Sequence, residues 1–279
     1  DIESQILQAN LLGGMTNSKR AAKELLEATA YIHHEVDEIA SIQRGLLPSP
    51  LPEVPGLQFA ASHDSFDRAG GDYYDVFPVG LPDGADPASH QGVWGILIAD
   101  ASGHGPSAAV VVAMLSTLLH TRSVNVTTPG ELLAYLNRHL ASKPIHGSFV
   151  TAFMMFYDPS NRRAQYACAG HNPPMLKQKG EVSQLDAVGS FPLGIDPNSR
   201  YENAELQLES GDTVLLYTDG ITELRTGLGD FFGEERLERI LRESPPNPAA
   251  IIDSVKENLR IHLGLRPADD QTMMVAQVV

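Results

Sequence analysis

Residues 96–105 read Ile96-Leu97-Ile98-Ala99-Asp100-Ala101-Ser102-Gly103-His104-Gly105. Four apolar residues in a row, two of them β-branched, mark a buried strand. An aspartate then meets a glycine-rich turn. Ser107–His120 follows, apolar nearly all round, and reads as a buried helix. A carboxylate at the mouth of a buried strand is held rigidly, so the chemistry of this chain is sought where strands end.

The same design recurs. Val214-Leu215-Leu216-Tyr217-Thr218 runs into Asp219-Gly220. Gly70-Gly71-Asp72 leads into an apolar run, Tyr73–Val79, and Asp269-Asp270 leads into another, Thr272–Val278. Glycines beside three of these four sites let backbone approach a ligand closely. Taken singly, each reads equally well as ordinary structure, since Asp-Gly is a common turn pair and Asp269-Asp270 can simply start a strand. Taken together, they read as a metal centre. Converging carboxylates repel one another and need cations or protons. An all-oxygen ligand set suits magnesium or manganese better than zinc, and the chain has no HExxH or CxxC pattern. Two such ions about 3.5–4 Å apart hold a bridging water, lower its pKa and neutralise charge on a phosphoryl group.

Working outward, Leu57–His63 and Gly92–Ala99 read as further strands, and Gly80–Gln91 as a polar loop. Phe149–Tyr157 and Arg163–Cys168 form a hairpin across Asp158-Pro159-Ser160-Asn161. Pro129–Leu140, Glu234–Leu241 and Pro248–Leu263 read as helices. Hairpin-linked strands with helices in separate blocks predict an α+β fold of antiparallel sheets covered by helices, not a doubly wound parallel sheet.

Upstream, residues 17–47 carry few helix breakers. Leu25, Ile32, Ile39 and Leu46 fall every seven residues, with Val36 and Ile42 between them. This is the narrow apolar seam of a two-helix coiled coil, although the same seam can pack on the chain's own core. His33 and His34 are adjacent on this helix, face different ways and read as a solvated pair. Pro48, Pro50, Pro52 and Pro55 then end the helix and stiffen a linker. The expected organisation is a helical linker and dimerisation segment over 1–47 and one domain over 48–279.

Bulk properties narrow the function. A chain of 279 residues, 42% hydrophobic and 20% charged, has room for one large domain and a short appendage. Its net charge of −15 disfavours nucleic acid and anionic membranes as partners. No apolar run has the length of a membrane span, and no secretory signal is visible. Cys168 is the sole cysteine; it reads as a small core residue and suits a reducing, cytoplasmic setting. Because the chain opens on Asp1 rather than methionine, a further domain upstream is left open. The Gly103-His104-Gly105 turn lacks both the GxxxxGK[ST] and GxGxxG patterns, so a nucleotide-binding loop is weakly supported. His104 is either a general acid near substrate or a loop residue facing water.

Six motifs stand in order: Gly70-Gly71-Asp72-Tyr73-Tyr74-Asp75, Asp100-Ala101-Ser102-Gly103-His104-Gly105, Ser148-Phe149-Val150-Thr151, Ala169-Gly170-His171-Asn172-Pro173-Pro174, Tyr217-Thr218-Asp219-Gly220-Ile221-Thr222-Glu223 and Asp269-Asp270-Gln271-Thr272. Together they resemble the PPM, or protein phosphatase 2C-like, superfamily, and most closely its bacterial SpoIIE/RsbU branch, over residues 46–279. The resemblance implies a β-sandwich of two antiparallel sheets with helices outside, and two Mn²⁺ or Mg²⁺ ions at one edge. It implies Asp100 and Asp219 as catalytic centre, with Asp100 bridging both ions, Asp219 and Asp269 completing one site, and Asp72 and the Ala101 carbonyl serving the other. Asp269 is chosen over Asp270 by motif alone, Asp75 is a supporting candidate, and Arg68 and His104 are candidate substrate contacts. The activity implied is hydrolysis of a phosphoserine or phosphothreonine on a regulatory protein, of the anti-sigma-factor antagonist type, by direct attack of a metal-bridging water. It also implies a sensor or receiver domain upstream and a homodimer through the N-terminal helix. Two other functions compete: a non-enzymatic partner-binding regulator of the same fold, and a metallohydrolase of small phosphoesters.

Overall fold

The computed structural model describes residues 2–67, 69–81, 86–121, 126–143, 147–227, 229–262, 267 and 269–279, with side chains from residue 19 onward. Its centre is two stacked five-stranded antiparallel sheets. One sheet orders β1 (Leu57–Asp64), β10 (Gln271–Val278), β9 (Thr213–Tyr217), β6 (Met175–Gln178) and β7 (Glu181–Gln184) side by side. The other orders β2 (Asp72–Pro78), β3 (Trp94–Ala101), β4 (Val150–Asp158), β5 (Arg163–Ala169) and β8 (Ala204–Gln207).

The strands lack polar alternation because both faces of each sheet are covered. On β3, Trp94, Ile96 and Ile98 point between the sheets, where they meet Phe153, Met155, Val214, Leu216 and Met274. Leu97 and Ala99 point the other way, against Val112, Leu115 and Leu119 of α2 (Pro106–His120) and Leu132, Leu133 and Leu136 of α3 (Pro129–Ser142). On the opposite side, Leu215, Tyr217, Met273 and Val275 pack against α5 (Glu234–Glu243) and α6 (Pro248–His262). The result is four layers, helix, sheet, sheet, helix. Each fully buried Ile, Leu or Phe in them contributes roughly 1.5–3 kcal/mol.

Helix starts follow local chemistry. Thr128 caps α3 in a reciprocal box with Glu131, and Pro129 occupies the first turn, where no amide partner is lost. Helix α2 begins at Pro106 immediately after Gly105, whose φ of 76° turns the chain from loop into helix. A single turn, α4 (Asp219–Thr222), follows β9.

The predicted strands and helices from residue 57 onward are present, with ends displaced by at most two residues, whereas the N-terminal helix, expected over 17–47, runs from Ile2 to Arg44. Strands β6, β7 and β8 were not foreseen. Each has four residues, too few for an alternation to register, and the β6–β7 hairpin turns on Lys179 and Gly180, both at positive φ. The N-terminal helix α1 (Ile2–Arg44) divides in character. Leu25 and Ile32 of the expected seam are exposed, whereas Ile39 packs beside the buried Ala40 against Ala69 and Ala109, and Leu46 packs against the α2–α3 layer.

Candidate metal centre

Antiparallel register brings the first two aspartates together. Asp72 begins β2 and Asp100 lies next to the end of β3, and these two residues are direct cross-strand partners. Asp100 is in turn paired with Thr151 of β4. The row Asp72–Asp100–Thr151 continues the inward-facing series Tyr74, Ile98 and Phe153, so it lies at one end of the space between the sheets. Like charges directly opposite each other destabilise a sheet.

The second sheet ends at the same place. Asp219 follows β9, and Asp269 and Asp270 precede its neighbour β10. Thr218 closes the gap between sheets: its hydroxyl donates to Asp72 Oδ2 at 2.8 Å, while its backbone N–H donates to the Thr272 carbonyl at 3.0 Å.

Glycines create the approach. A Cβ on Gly71 would lie 2.4 Å from the Ala101 carbonyl oxygen, 3.1 Å from that of Gly103 and 3.2 Å from Asp100 Oδ1. Three oxygens thus crowd one small space that only glycine leaves open. All three are hard donors of the kind magnesium and manganese prefer, so the residues present fit such a cation. The loop is tied down by Ala101 N–H to the Gly71 carbonyl (2.9 Å), Gly105 N–H to the Ala69 carbonyl (3.1 Å), and a reciprocal pair in which Ser102 N–H donates to the Phe149 carbonyl and Phe149 N–H to Ser102 Oγ.

Electrostatics mark the same four residues. Burial first, and then the neighbouring Asp100 charge, push the Asp72 carboxyl well above the usual range. Asp100 is pushed up to about 7 by burial and by the charges of Asp219, Asp269 and Asp270. Burial and Asp269 raise Asp219, and burial raises Asp269. The groups act on each other through space, yet among the described residues no three acidic, histidine or cysteine side chains close into ligating geometry.

The two adjacent aspartates differ sharply. Asp270 is buried, and its two oxygens accept separate backbone bonds, from Phe66 N–H at 2.8 Å and Gly71 N–H at 2.6 Å. It knots the loop before β2. Asp269 is exposed, and its carboxylate accepts from the Asp270 N–H at 2.8 Å. Asp75, the supporting candidate, faces away from the row. It accepts from Tyr73 Oη (2.6 Å) and Val76 N–H (2.8 Å), and its Oδ2 lies 2.7 Å from His120 Nε2, so it fastens β2 to the end of α2. His104 is exposed and sits edge-on to Phe66. Arg68, the other expected substrate contact, lies outside the described residues. Cys168 is buried in the core between the sheets.

Two contacts had no advance signal. Gln43, buried near the end of α1, holds the Gly70 backbone with both ends of its amide: Nε2 donates to the Gly70 carbonyl (2.7 Å) and Oε1 accepts from the Gly70 N–H (2.9 Å). His171 belongs to a quoted motif but had no role; it is buried with Nδ1 2.8 Å from Thr151 Oγ1.

The family model of Stage II sporulation protein E (SpoIIE) matches residues 90–279. Asp72 lies upstream of that match, so its place rests on the register with Asp100. Protein IcfG of Synechocystis sp. is 28% identical over 272 residues, which covers 86% of this chain and 41% of that protein. The phosphoserine phosphatase RsbU of Bacillus subtilis is 27% identical over 247 residues, covering 88% of this chain and 70% of RsbU. The chain therefore spans less than half of IcfG and more than two thirds of RsbU. The solved SiaA-PP2C domain of Pseudomonas aeruginosa has the same fold, with a TM-score of 0.74 at 21% identity over 90% of this chain and 98% of that domain.

Proposed function

This chain belongs to the Stage II sporulation protein E (SpoIIE) family, and on that premise we propose that it is a metal-dependent serine/threonine protein phosphatase. The observation that carries this reading is the meeting of Asp72, Asp100, Asp219 and Asp269 at one end of the sandwich, every one with its carboxyl pKa raised. The similarity to RsbU, a phosphoserine phosphatase, supports the substrate class.

Each residue has a distinct task. Asp100, central in the row, would be shared between two divalent ions, Mn²⁺ or Mg²⁺, with Asp72 and the Ala101 carbonyl as further ligands of one ion and Asp219 and Asp269 of the other. Asp269 is assigned over Asp270 because both oxygens of Asp270 already hold backbone amides. When bound, the ion pair supplies an activated water and neutralises phosphoryl charge. The chain itself holds its carboxylates rigid at strand ends and leaves His104 on the open side, where an incoming phosphoryl group passes.

The expected substrate is a phosphorylated regulatory protein of the anti-sigma-factor antagonist type, and the expected assembly is a homodimer through α1, whose Leu25, Leu26, Tyr31 and Ile32 are exposed. The expected setting is cytoplasmic; among the described residues no helix is long and apolar enough to cross a membrane. The test is phosphate release from a phosphoserine-bearing protein with and without Mn²⁺. Release that requires Mn²⁺ and vanishes in Asp219→Asn supports the reading. Turnover of small phosphoesters alone would shift it to a metabolite hydrolase, and Mn²⁺ binding without any turnover to a partner-binding module.

A further inference from the structure

The row of side chains at the carboxylate end does not stop at Thr151. The hydroxyl of Thr151 is 2.8 Å from Nδ1 of His171, which follows β5 and is itself 6% exposed. The row therefore reads Asp72, Asp100, Thr151, His171 across one sheet. One of its ends is stitched to the other sheet. Asp72 accepts from the Thr218 hydroxyl. At the far end, the His171 ring is held from the Thr151 side, and among the described residues its buried Nε2 has no hydrogen-bond partner. Thr218 is the residue immediately before Asp219.

We propose that His171 is a positioning residue of the metal centre: it fixes the Thr151 hydroxyl beside Asp100 and thereby holds the strand end that carries Asp100. The inference rests on the reading of the four aspartates as a metal centre. Its chemistry suits the task. Burial drives the imidazole pKa down to about 4, so the ring is neutral at physiological pH and adds no cation to repel an incoming one. A neutral ring also has one donor and one acceptor nitrogen, so in the tautomer that carries its proton on Nε2, Nδ1 accepts from the Thr151 hydroxyl. Asp100 and Thr151 are direct cross-strand partners, so a shift of the Thr151 side chain bears on the Asp100 carboxylate beside it. Groups that orient metal ligands from outside the ligand set typically cost 10–100-fold in metal affinity when removed.

The experiment is calorimetric titration of Mn²⁺ into the full 279-residue chain, compared with His171→Leu, His171→Asn and Thr151→Val, with thermal melts of all four. His171→Leu is expected to weaken Mn²⁺ binding by about 10-fold or more. Thr151→Val removes the same hydrogen bond from the other side, keeps the shape of the side chain, and is expected to weaken binding similarly; it decides the matter if His171→Leu does not fold. His171→Asn, whose amide reaches the place of Nδ1, is expected to return affinity to within about threefold of the parent chain. The proposal is overturned if folded His171→Leu and Thr151→Val bind Mn²⁺ as the parent does, or if His171→Asn is as weak as His171→Leu, which would make the loss one of packing. A parent chain that takes up no Mn²⁺ overturns the reading of the centre itself, and this inference with it.

Discussion

The middle of the sandwich and its carboxylate end are built from the same strands, two or three residues apart, and obey opposite rules. In the middle, Ile96, Ile98, Phe153 and Leu216 are fully buried in a predominantly apolar core. At the end, the same inward-facing series delivers Asp72 opposite Asp100, both held above their normal pKa range. The middle stabilises the fold, and that surplus lets the end hold an arrangement that is unfavourable by itself. Stability and chemistry should therefore separate cleanly under mutation.

The sharpest separation is expected from Asp219→Asn. Phosphatase activity should fall at least about 100-fold, the upper range for loss of a mere supporting group, while the melting temperature in chelator is unchanged or higher. A parallel loss of folding would erase the distinction between the two regions. Phe153→Ala should do the reverse, costing about 3–5 kcal/mol in denaturant unfolding through the cavity it leaves between the sheets, with Mn²⁺ affinity of the folded fraction retained.

The adjacent pair Asp269 and Asp270 repeats the comparison on a smaller scale. Asp270→Ala strands the Phe66 and Gly71 amides and should cost about 2–3 kcal/mol. Asp269→Ala should leave stability within about 0.5 kcal/mol and weaken Mn²⁺ binding instead. Equal destabilisation by both would break the assignment.

The pH dependence carries a sign. Asp100 holds its proton up to about pH 7 when folded but only to near its ordinary value of 3.8 when unfolded. Between these values the folded state binds more protons, so raising the pH lowers stability. Without metal, Asp100→Asn should lie close to the parent chain near pH 4 and exceed it by roughly 4 kcal/mol at pH 7. A gap that is widest at low pH would reverse the argument. The smallest effect, about 1 kcal/mol, is expected for Thr128→Ala, which removes the α3 cap far from the centre.

What the sequence disclosed follows the same division. The long strands announced themselves because burial on both faces demands unbroken apolar runs, as in Ile96–Ala99 and Val214–Tyr217. The aspartates were legible because a charge ending such a run is conspicuous. Strands β6, β7 and β8 were hidden by their brevity, and the contacts that hold the centre were hidden by distance along the chain. Gln43 meets Gly70 from 27 residues away and Asp270 meets Gly71 from 199. No local pattern distinguishes a glutamine that will clamp a backbone from one that will face water, and nothing in the Asp269-Asp270 pair says which carboxylate will turn inward.

The bare backbones at the carboxylate end have a further consequence for how this protein tolerates change. A methyl group on Gly70 would strike Asp270 Oδ2 at 2.1 Å, on Gly71 the Ala101 carbonyl at 2.4 Å, and on Gly220 the Asp270 carbonyl. At Gly80, Gly180 and Gly189 it would meet nothing within 4 Å. In a saturation library these two groups would look alike by residue type yet behave as opposites: Gly189, at ordinary φ, should accept many replacements, whereas each of the three at the carboxylate end should accept none.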